Sequence, residues 1–406
     1  MNRWIFILSL IPALAGAQNV GVAGGGTILG ASPRTTTICL VPDIQNMTSM
    51  SDGVVANPSV DCSQTEGAYC TGASCVSSPY CSASWWQTGR ILLDNMAYSL
   101  TGQWSAIDYT AVKHADNVLS KRGHALDHGR CDAIIGLGDN MDTTDLRTYA
   151  QLTSDMVHQY EMAIGFWRIV KASGIPYIIA RGNHDGEGAF DTLITALGVE
   201  SEPFHYAIHS ERDQYAIKFS TKTGKDFCAL TLDDDAASEV GDEYTASEAA
   251  WVLSNVGCGS DLPTILVGHE IVISDAGATL LSSASTVTLN AGAGEVFIVA
   301  GGHYTDSAIS RKVEGTNGSG AAIFKFFSNW QEMNRHNTNL NGNGITTSDG
   351  NGGMYTVISV DAGNSRICAH DWTPYWQSRG TVGNGQDTTQ LASSTCFNFN
   401  FDTRFP

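Results

Sequence analysis

The stretch DAIIGLGDNMD, residues 132–142, joins a short apolar run to a group of acidic and amide side chains. The run from Ala133 to Leu137 is continuous and lacks the alternation of a strand that has one face in water. Such runs are typical of strands that are buried on both faces in α/β proteins. The stretch therefore predicts a buried strand that delivers Asp139 to one edge of a sheet.

The same arrangement recurs at five other places in the chain. Each run is short, apolar and rich in β-branched residues, and each ends abruptly in polar residues. The runs are Thr36 to Val41 before Asp43, Tyr177 to Ala180 before Gly182-Asn183-His184, Phe227 to Leu232 before Asp233-Asp234-Asp235, Ile265 to Val267 before His269, and Val296 to Ala300 before His303. Ligands of open α/β sheets bind at the carboxyl ends of the strands, where we expect these polar groups to meet.

Helical patterns fill the intervals between these runs and indicate an α/β fold with a largely parallel sheet. The predicted helices are Gln87 to Tyr98, Tyr109 to Arg122, Thr144 to Ala172 and Glu243 to Asn255. The later part of the chain lacks helical patterns, and we expect an antiparallel extension there, made of Ala322 to Ser328, Tyr355 to Val360 and Arg366 to Ala369. No repeat or linker divides the chain, so we expect one domain at residues 35–375 and a tail at 376–406 that packs on it.

Composition limits the classes of partner. The 406 residues include 41 acidic and 22 basic side chains, with a net charge of -19. A chain this acidic is poorly suited to bind a nucleic acid polymer or an anionic membrane through basic side chains. A small phosphorylated substrate remains compatible with this charge if metal ions neutralise the phosphate.

Residues 1–17 have the pattern of a secretory signal peptide. Arg3 provides the basic start, Trp4 to Leu14 form a short apolar run, and Ala15-Gly16-Ala17 matches a cleavage site. The run is shorter than the roughly 18 residues that span a bilayer, which disfavours an uncleaved anchor. Residues 18–34 are rich in Gly and Ala and are predicted to be a flexible leader. We therefore expect a secreted protein, extracellular or periplasmic, with no membrane span.

All ten cysteines follow the predicted cleavage site. An even number in an exported chain suggests disulfides, whose pairing the sequence leaves open. Four cysteines fall between Cys62 and Cys81, where we expect a loop with two bridges; a zinc site is disfavoured because no Cys-x-x-Cys pair occurs there. Asn46-Met47-Thr48 and Asn317-Gly318-Ser319 match the acceptor pattern for N-linked glycans, so a glycoprotein is expected if the source modifies such sites.

The polar residues at the predicted strand ends are informative as a set. A single Asp after a strand is usually a turn or capping residue, and a single His is usually structural. Here oxygen and imidazole groups converge from five strand ends, and Arg181 is the one basic side chain that lies directly among them in the sequence. Such a cluster is costly to bury unless cations occupy it, and it therefore predicts a divalent metal site.

The ordered set resembles the calcineurin-like metallophosphoesterase family. The family pattern is Asp-x-His, Gly-Asp-x-x-Asp, Gly-Asn-His-Asp/Glu, a lone His and Gly-His-x-His. The matching stretches are Asp43 to Gln45, Gly138 to Asp142, Gly182 to Asp185, Gly268-His269 and Gly302 to Thr305. Trp330-Gln331 and Tyr355 to Trp372 are similar to the C-terminal strands of secreted members that begin with Asp-x-Gln. The resemblance implies a sandwich of β-sheets flanked by helices, with a metal site at the carboxyl ends of the strands.

The resemblance also implies a dinuclear centre with two divalent ions, which are Mn, Fe, Zn, Mg or Ca. The implied ligands are Asp43 and Gln45 on the first ion, Asp139 between the two ions, and Asn183, His269 and His303 on the second ion. A hydroxide between the ions would attack phosphorus in line. His184 would lie beside the leaving oxygen, and Asp142 would orient its ring, although a helix N-cap is the ordinary alternative for Asp142.

Two positions depart from the family pattern, and both belong to the first ion. Gln45 stands where His is usual, which favours Mg, Mn or Ca over zinc, and Thr305 stands where the final His is expected. Thr305 would bind weakly or leave its place to water or Asp306. The hypothesis is a secreted phosphoesterase that cleaves a small phosphomonoester or phosphodiester. The alternative is a catalytically weakened or inactive extracellular binding or structural protein on the same scaffold; a secreted nuclease is disfavoured because no basic groove is visible.

Other polar residues receive lesser roles. His124 and His128 precede a predicted strand, so they fall at the opposite, amino edge of the sheet. Asp185 is assigned to the edge that holds cations, and turn roles are favoured for Asp233 to Asp235. The residues expected near a substrate cleft are His205, Tyr206, Trp330 and His336.

Overall fold

A computed structural model describes thirteen strands and their flanking helices within the part of the chain that it covers. The described residues are 34–45, 93, 96–102, 130–141, 154–210, 214–232, 246–272, 278, 280, 282–303, 310–329, 355–372 and 395–406. The predicted signal peptide, nearly all of the leader, the four-cysteine loop and the predicted helix Tyr109 to Arg122 lie outside these residues.

Strands and helices alternate up to β8, and strands dominate afterwards. The strands are β1 (Thr35–Val41), β2 (Ala133–Gly136), β3 (Tyr177–Ile179), β4 (His205–Ile208), β5 (Tyr215–Ser220), β6 (Asp226–Thr231), β7 (Thr264–Val267), β8 (Val296–Gly301), β9 (Ser310–Thr316), β10 (Ala322–Ser328), β11 (Tyr355–Asp361), β12 (Arg366–Trp372) and β13 (Thr395–Asn398). The α-helices are α1 (Ser154–Ala172), α2 (Glu187–Leu197), α3 (Ala246–Asn255), α4 (Ser282–Leu289) and α5 (Phe401–Arg404). Residues 96–101 are also helical. Short 3-10 helices lie at Val199–Ser201, Val256–Gly259, Ala291–Ala293 and Ala362–Asn364.

The first sheet has the strand order β13-β12-β11-β1-β2-β3. Strands β1, β2 and β3 run parallel, so their carboxyl ends share one edge. Strands β11, β12 and β13 continue the sheet beyond β1 as antiparallel neighbours. Residues 395–406 are thus part of the fold, and Phe399 and Phe401 of this segment are buried in the main core.

The second sheet has the strand order β4-β5-β6-β7-β8-β10-β9. Strands β6, β7, β8 and β10 run parallel, while β4, β5 and β9 are antiparallel to their neighbours. The carboxyl ends of β7 and β8 therefore lie side by side, directly before His269 and His303. This sheet supplies one half of the site described below, and the first sheet supplies the other half.

The core shows why the strands read as unbroken apolar runs. Every residue of β1, β2, β3, β7 and β8 is buried. One core cluster combines side chains of both sheets with side chains of α1 and α2, and it includes Ile135 and Ile265. A second cluster combines the other face of the second sheet, at Leu266, with α3 and α4 at Val252 and Val287. The architecture is thus a sandwich of two mixed sheets flanked by helices.

Two topological expectations were wrong. A largely parallel sheet was expected, whereas both sheets are mixed. Ala322–Ser328 was expected in the antiparallel extension, but it forms β10, which pairs in parallel with β8 and antiparallel with β9. The reason is that β10 forms a hairpin with β9, and β9 was not predicted as a strand because its sequence, SRKVEGT, is mostly polar. The hairpin then docks on β8 instead of on the first sheet.

Three disulfides lie in the described part of the chain and confirm the predicted disulfide bonding for six cysteines. They join Cys39 to Cys131, Cys228 to Cys258, and Cys368 to Cys396. Disulfides of this kind are typical of proteins in oxidising, extracellular compartments. Among the described helices, none combines the length and apolar character needed to cross a membrane.

Of the two acceptor patterns for N-linked glycans, Asn317 is buried in the folded chain, whereas Asn46 lies outside the described residues. The Asn317 side chain is buried, and its Nδ2 donates to the carbonyl oxygens of Gly294 and Val296, both at 3.2 Å. Its Oδ1 accepts from both the backbone nitrogen and Oγ of Ser319. A glycan on Nδ2 would replace one of its two hydrogens and so remove one of these buried hydrogen bonds, which disfavours modification of the folded chain.

Candidate metal centre

The loops after β1 and β2 are fastened to each other by backbone hydrogen bonds. The backbone nitrogens of Ile44 and Gln45 both donate to the carbonyl oxygen of Asp139, at 3.1 and 2.9 Å. Oδ1 of Asp43 accepts from the backbone nitrogen of Gln45 at 3.0 Å. Asp43 and Gln45 are both buried. These bonds place Asp43 and Gln45 beside Asp139 at the carboxyl edge of the first sheet.

The backbone of Asp139 has a conformation that few residues adopt. Its φ is 48°, in the left-handed region, which Asp tolerates better than most side chains. Gly138 has a φ of 100°, and a Cβ at that position would lie 2.5 Å from Nδ1 of His269. A Cβ on Gly182 would overlap Oδ1 of Asp139. Any side chain at Gly138 would clash with His269, and any side chain at Gly182 would clash with Asp139, so both motifs require glycine at these positions. Residues with unusual backbone conformations such as that of Asp139 are concentrated at functional sites.

The carboxylate of Asp139 faces two imidazole rings that come from the second sheet. Its Oδ2 lies 2.9 Å from Nε2 of His269 and 3.9 Å from Nδ1 of His303. One ligand atom from each of the three residues lies within 4.8 Å of the others. Asp139 and His269 have almost no exposed surface, whereas 26% of the His303 side chain is exposed. The cluster thus opens to solvent at His303.

The neighbours of His269 determine which of its nitrogens carries the proton. Nδ1 lies 2.7 Å from the carbonyl oxygen of Leu137, which can only accept a hydrogen bond. We therefore assign the proton to Nδ1, which leaves a lone pair on Nε2 turned toward Oδ2 of Asp139. Two acceptor atoms at 2.9 Å are stable only when a proton or a cation lies between them. The space between these two atoms therefore holds either a proton or a cation.

The two buried carboxylates of the site have pKa values shifted in opposite directions. Burial raises the pKa of Asp43 well above its usual value, and the charge of Asp139 raises it further. Burial also acts to raise the pKa of Asp139, but the two facing imidazoles, His269 before His303, hold it well below its usual range when they are protonated and donate to its carboxylate. Like charges that share a buried site behave in this way. Additional positive charge would allow both carboxylates to ionise.

The loop between β3 and α2 brings Asn183 and His184 to the same edge. Oδ1 of Asn183 is buried and accepts no hydrogen bond from the described residues. The backbone nitrogen of His184 donates to Oδ1 of Asp139 at 2.9 Å. The charge of the His184 ring also lowers the pKa of Asp139, so this ring lies within electrostatic reach of the carboxylate. Amide oxygens are common ligands of hard divalent cations, and Asn183 offers one.

Asp185 lies at the same edge and connects two of its loops. Its carboxylate accepts hydrogen bonds from the backbone nitrogens of Gly182 (3.1 Å), Asn140 (3.0 Å) and Met141 (2.8 Å), and from Nδ2 of Asn140 (2.9 Å). Burial, followed by the charge of Asp139, raises its pKa to about 6. Asp185 thus lies at the expected edge, where its oxygens fasten the loop after β2 to the loop after β3.

The expected cleft residues divide into two groups. His205 and Tyr206 do not lie at the metal edge, because the carboxyl end of β4 is Ile208 and the Tyr206 ring packs against Gly259 in the turn before β7. That turn is at the amino end of the second sheet, so the expectation for these two residues is wrong. Several other candidates lie outside the described residues, and their roles stay predictions: Asp142, Thr305, Trp330, His336, His124, His128 and Asp233 to Asp235.

Sequence reasoning missed two residues that contact His303. Oε1 of Glu270 lies 3.0 Å from Nε2 of His303. Nδ2 of Asn329, directly after β10, donates to the carbonyl oxygen of His303 at 2.9 Å. An acidic residue next to a strand-end histidine was a usable signal for Glu270. No comparable signal existed for Asn329, because the position of β10 beside β8 is not evident in the sequence.

Comparison with known proteins identifies no family. No protein-family model matches the chain, and no curated protein matches it. The function is therefore inferred from the geometry of the site and from the motifs that build it.

Proposed function

We propose that this protein is a secreted, metal-dependent phosphoesterase of the calcineurin-like type, which hydrolyses a small phosphomonoester or phosphodiester. The observation that carries the proposal is the meeting of Asp139, His269 and His303 at the carboxyl edges of two facing sheets. The order of the five motifs along the chain supports the same family resemblance. We likewise propose that the sandwich of two mixed sheets is the calcineurin-like fold.

The residues at this edge fit divalent cations. Imidazole nitrogens and carboxylate or amide oxygens are the usual protein ligands of Mn, Fe and Zn, and oxygen-rich sites favour Mg, Mn or Ca. Asp139 would lie between two ions. The remaining ligands would be His269, His303 and Asn183 on one ion and Asp43 and Gln45 on the other. When bound, the ions supply Lewis acidity to a water nucleophile and to the phosphoryl oxygens.

The chain itself orients the groups around this centre. The hydrogen bond from the backbone nitrogen of His184 to Asp139 fixes the loop that carries the His184 ring. His184 would then donate a proton to the leaving oxygen, as a positioned imidazole does in general acid catalysis. The exposed part of His303 marks the side from which a substrate enters. The acidic composition favours a small substrate over a nucleic acid polymer.

The test uses the purified chain with p-nitrophenyl phosphate and bis(p-nitrophenyl) phosphate, each with added Mn²⁺, Fe²⁺ or Zn²⁺. We expect turnover that depends on metal and is lost in Asp139→Asn and His303→Ala. Asp226→Asn, at the amino edge of the second sheet, should keep full activity, because an amide oxygen can still accept from Ser220. Absence of metal-stimulated turnover on both substrates would overturn the enzymatic proposal.

A binding or structural protein on the same scaffold is the second candidate. The observation that favours it is Gln45, a buried side chain where a stronger imidazole ligand is usual in the family. If the ion position that includes Gln45 binds metal weakly, the protein would still bind metal at the other position but would hydrolyse phosphate esters slowly. Metal bound to the purified chain, together with no turnover on either ester, is the result that supports this candidate over an enzyme.

A further inference from the structure

We propose that Glu270 is a positioning residue of the metal centre, which fixes the tautomer of His303 so that Nδ1 faces the metal position. This inference rests on the metal-dependent function proposed above. Glu270 directly follows His269 in the chain, but its side chain contacts the ring of His303. It belongs to none of the five motifs that carry the family resemblance.

Contacts on both sides of the ring determine which nitrogen of His303 carries the proton. Nε2 lies 3.0 Å from Oε1 of Glu270. Nδ1 lies 3.0 Å from Nε2 of His269 and 3.9 Å from Oδ2 of Asp139. A carboxylate oxygen accepts, so a proton on Nε2 forms a charge-assisted hydrogen bond with Glu270. Nδ1 is then the nitrogen whose lone pair can bind a cation at the centre of the cluster; without a cation, a proton must lie between Nδ1 and Nε2 of His269.

His269 is oriented by the same principle through a different partner. Its Nδ1 bonds to the carbonyl oxygen of Leu137, so that Nε2 presents the lone pair. The two rings thus turn different nitrogens toward Asp139, and each has an acceptor on its far side. The carbonyl oxygen of Leu137 belongs to the backbone, whereas the acceptor for His303 is a side chain that substitution can remove.

The backbone of His303 is held independently of Glu270. Its nitrogen donates to the carbonyl oxygen of His269 at 2.9 Å, and its carbonyl oxygen accepts from Asn329 at 2.9 Å. Removal of the Glu270 carboxylate should therefore change the proton position on the ring and leave the loop in place. This separation makes the proposed role measurable.

Without Glu270, the other tautomer of His303 becomes competitive. A proton on Nδ1 can be donated to Nε2 of His269 or to Oδ2 of Asp139, which closes the cluster with an internal hydrogen bond. A cation must then displace that proton before it binds. Loss of an outer carboxylate that orients a metal-binding histidine typically weakens metal affinity by about 10- to 100-fold.

The first experiment measures Mn²⁺ binding to the metal-free full chain by titration calorimetry, in the wild type, Glu270→Ala and Glu270→Gln. We expect Glu270→Ala to bind about 10- to 100-fold more weakly. Glu270→Gln should stay within about fivefold of the wild type, because its amide oxygen still accepts from Nε2. Glu202→Ala is the matched control, since the Glu202 side chain is also 15% exposed but pairs with Lys171.

The second experiment reads the tautomer directly by long-range proton–nitrogen NMR of the histidine rings in the metal-free chain. The His303 signals are assigned by their loss in His303→Gln. We expect a proton on Nε2 in the wild type and in Glu270→Gln. A population with a proton on Nδ1 and none on Nε2 should be present only in Glu270→Ala.

The outcomes separate this inference from the proposed function. If the wild type binds none of Mn²⁺, Fe²⁺ and Zn²⁺, the metal-dependent function itself is overturned. If the wild type binds Mn²⁺ and Glu270→Ala binds it equally well with the same tautomer, only the role of Glu270 is overturned. If Glu270→Gln loses as much affinity as Glu270→Ala, Glu270 acts as a ligand or through its charge, and the positioning role is contradicted.

Discussion

Two buried carboxylates in this fold, Asp371 and Asp139, differ in how their charge is balanced. On β12, Oδ2 of Asp371 lies 2.5 Å from Nζ of Lys312 on β9, and Oδ1 accepts from Oγ1 of Thr356 at 2.6 Å. The carboxylate of Asp139 instead faces His269 and His303. Among the described residues, no Lys or Arg forms an ion pair with Asp139.

The difference shows how to tell a structural carboxylate from one that holds a cation. The chain itself supplies the cation for Asp371, and the pair links a strand of each sheet. The neighbours of Asp139 are imidazoles whose assigned tautomers turn lone pairs toward it. Burial is the same in both places, so the balance of donors and acceptors is the property that separates them.

The largest expected effect comes from breaking the ion pair between Lys312 and Asp371. Lys312→Met should lower the free energy of unfolding by about 3–5 kcal/mol, because it leaves Asp371 buried without its cation. The measurement is urea-induced unfolding at neutral pH with a metal chelator present. Lys312→Met combined with Asp371→Leu should recover most of the loss. A loss below about 1 kcal/mol in the single variant would show that Asp371 does not depend on Lys312.

The next largest effect concerns the cluster of Asp139, His269 and His303, in which no Lys or Arg of the described residues pairs with the carboxylate. Mn²⁺ at about 100 times its dissociation constant should raise the free energy of unfolding of the wild type by about 2.7 kcal/mol for each bound ion, because it binds the native state. Asp139→Asn should show no such increase, and Asp226→Asn should show all of it. Thermal unfolding with Mn²⁺ and with chelator makes the comparison. Equal stabilisation of the wild type and Asp139→Asn would place the metal elsewhere.

The smallest effect concerns Asn317, a neutral side chain whose polar atoms are satisfied within the chain. Asn317→Ala should lower the free energy of unfolding by about 1–3 kcal/mol, because buried partners lose its hydrogen bonds. Asn364→Ala, at an exposed turn, is the control and should cost less. In a host that attaches N-linked glycans, mass spectrometry of the folded protein should find Asn317 unmodified. A glycan on Asn317 in the folded chain would contradict this account of its contacts.

The fold was predictable where strands are buried on both faces. The run from Thr36 to Val41 predicted β1 to within one residue, and Ile265 to Val267 predicted most of β7. Prediction failed at β9, since an edge strand pairs on one side and tolerates charged residues. The pairing of β10 with β8 was also not predictable from the sequence, because tertiary contacts determine which of the two sheets a strand joins.

The meeting of His269 and His303 was predictable, because β7 and β8 are neighbours whose carboxyl ends share an edge. Their meeting with Asp139 depends on two sheets that face each other, which the expectation of one largely parallel sheet did not include. The roles of Asp185 and Glu270 were not predictable from spacing. Both depend on side-chain directions that the loops determine. The left-handed backbone of Asp139 and the N–H groups that surround Asp185 are properties of the folded loops.

The most direct test of the central claim, that this cluster is a divalent cation site, is the number of Mn²⁺ ions bound per chain. The metal-free chain is dialysed to equilibrium against Mn²⁺, and the bound metal is determined by elemental analysis for the wild type, Asp139→Asn and His303→Ala. The account predicts two ions per wild-type chain and a loss of bound metal in both variants. A wild type that retains no Mn²⁺, or variants that retain as much as the wild type, would contradict it.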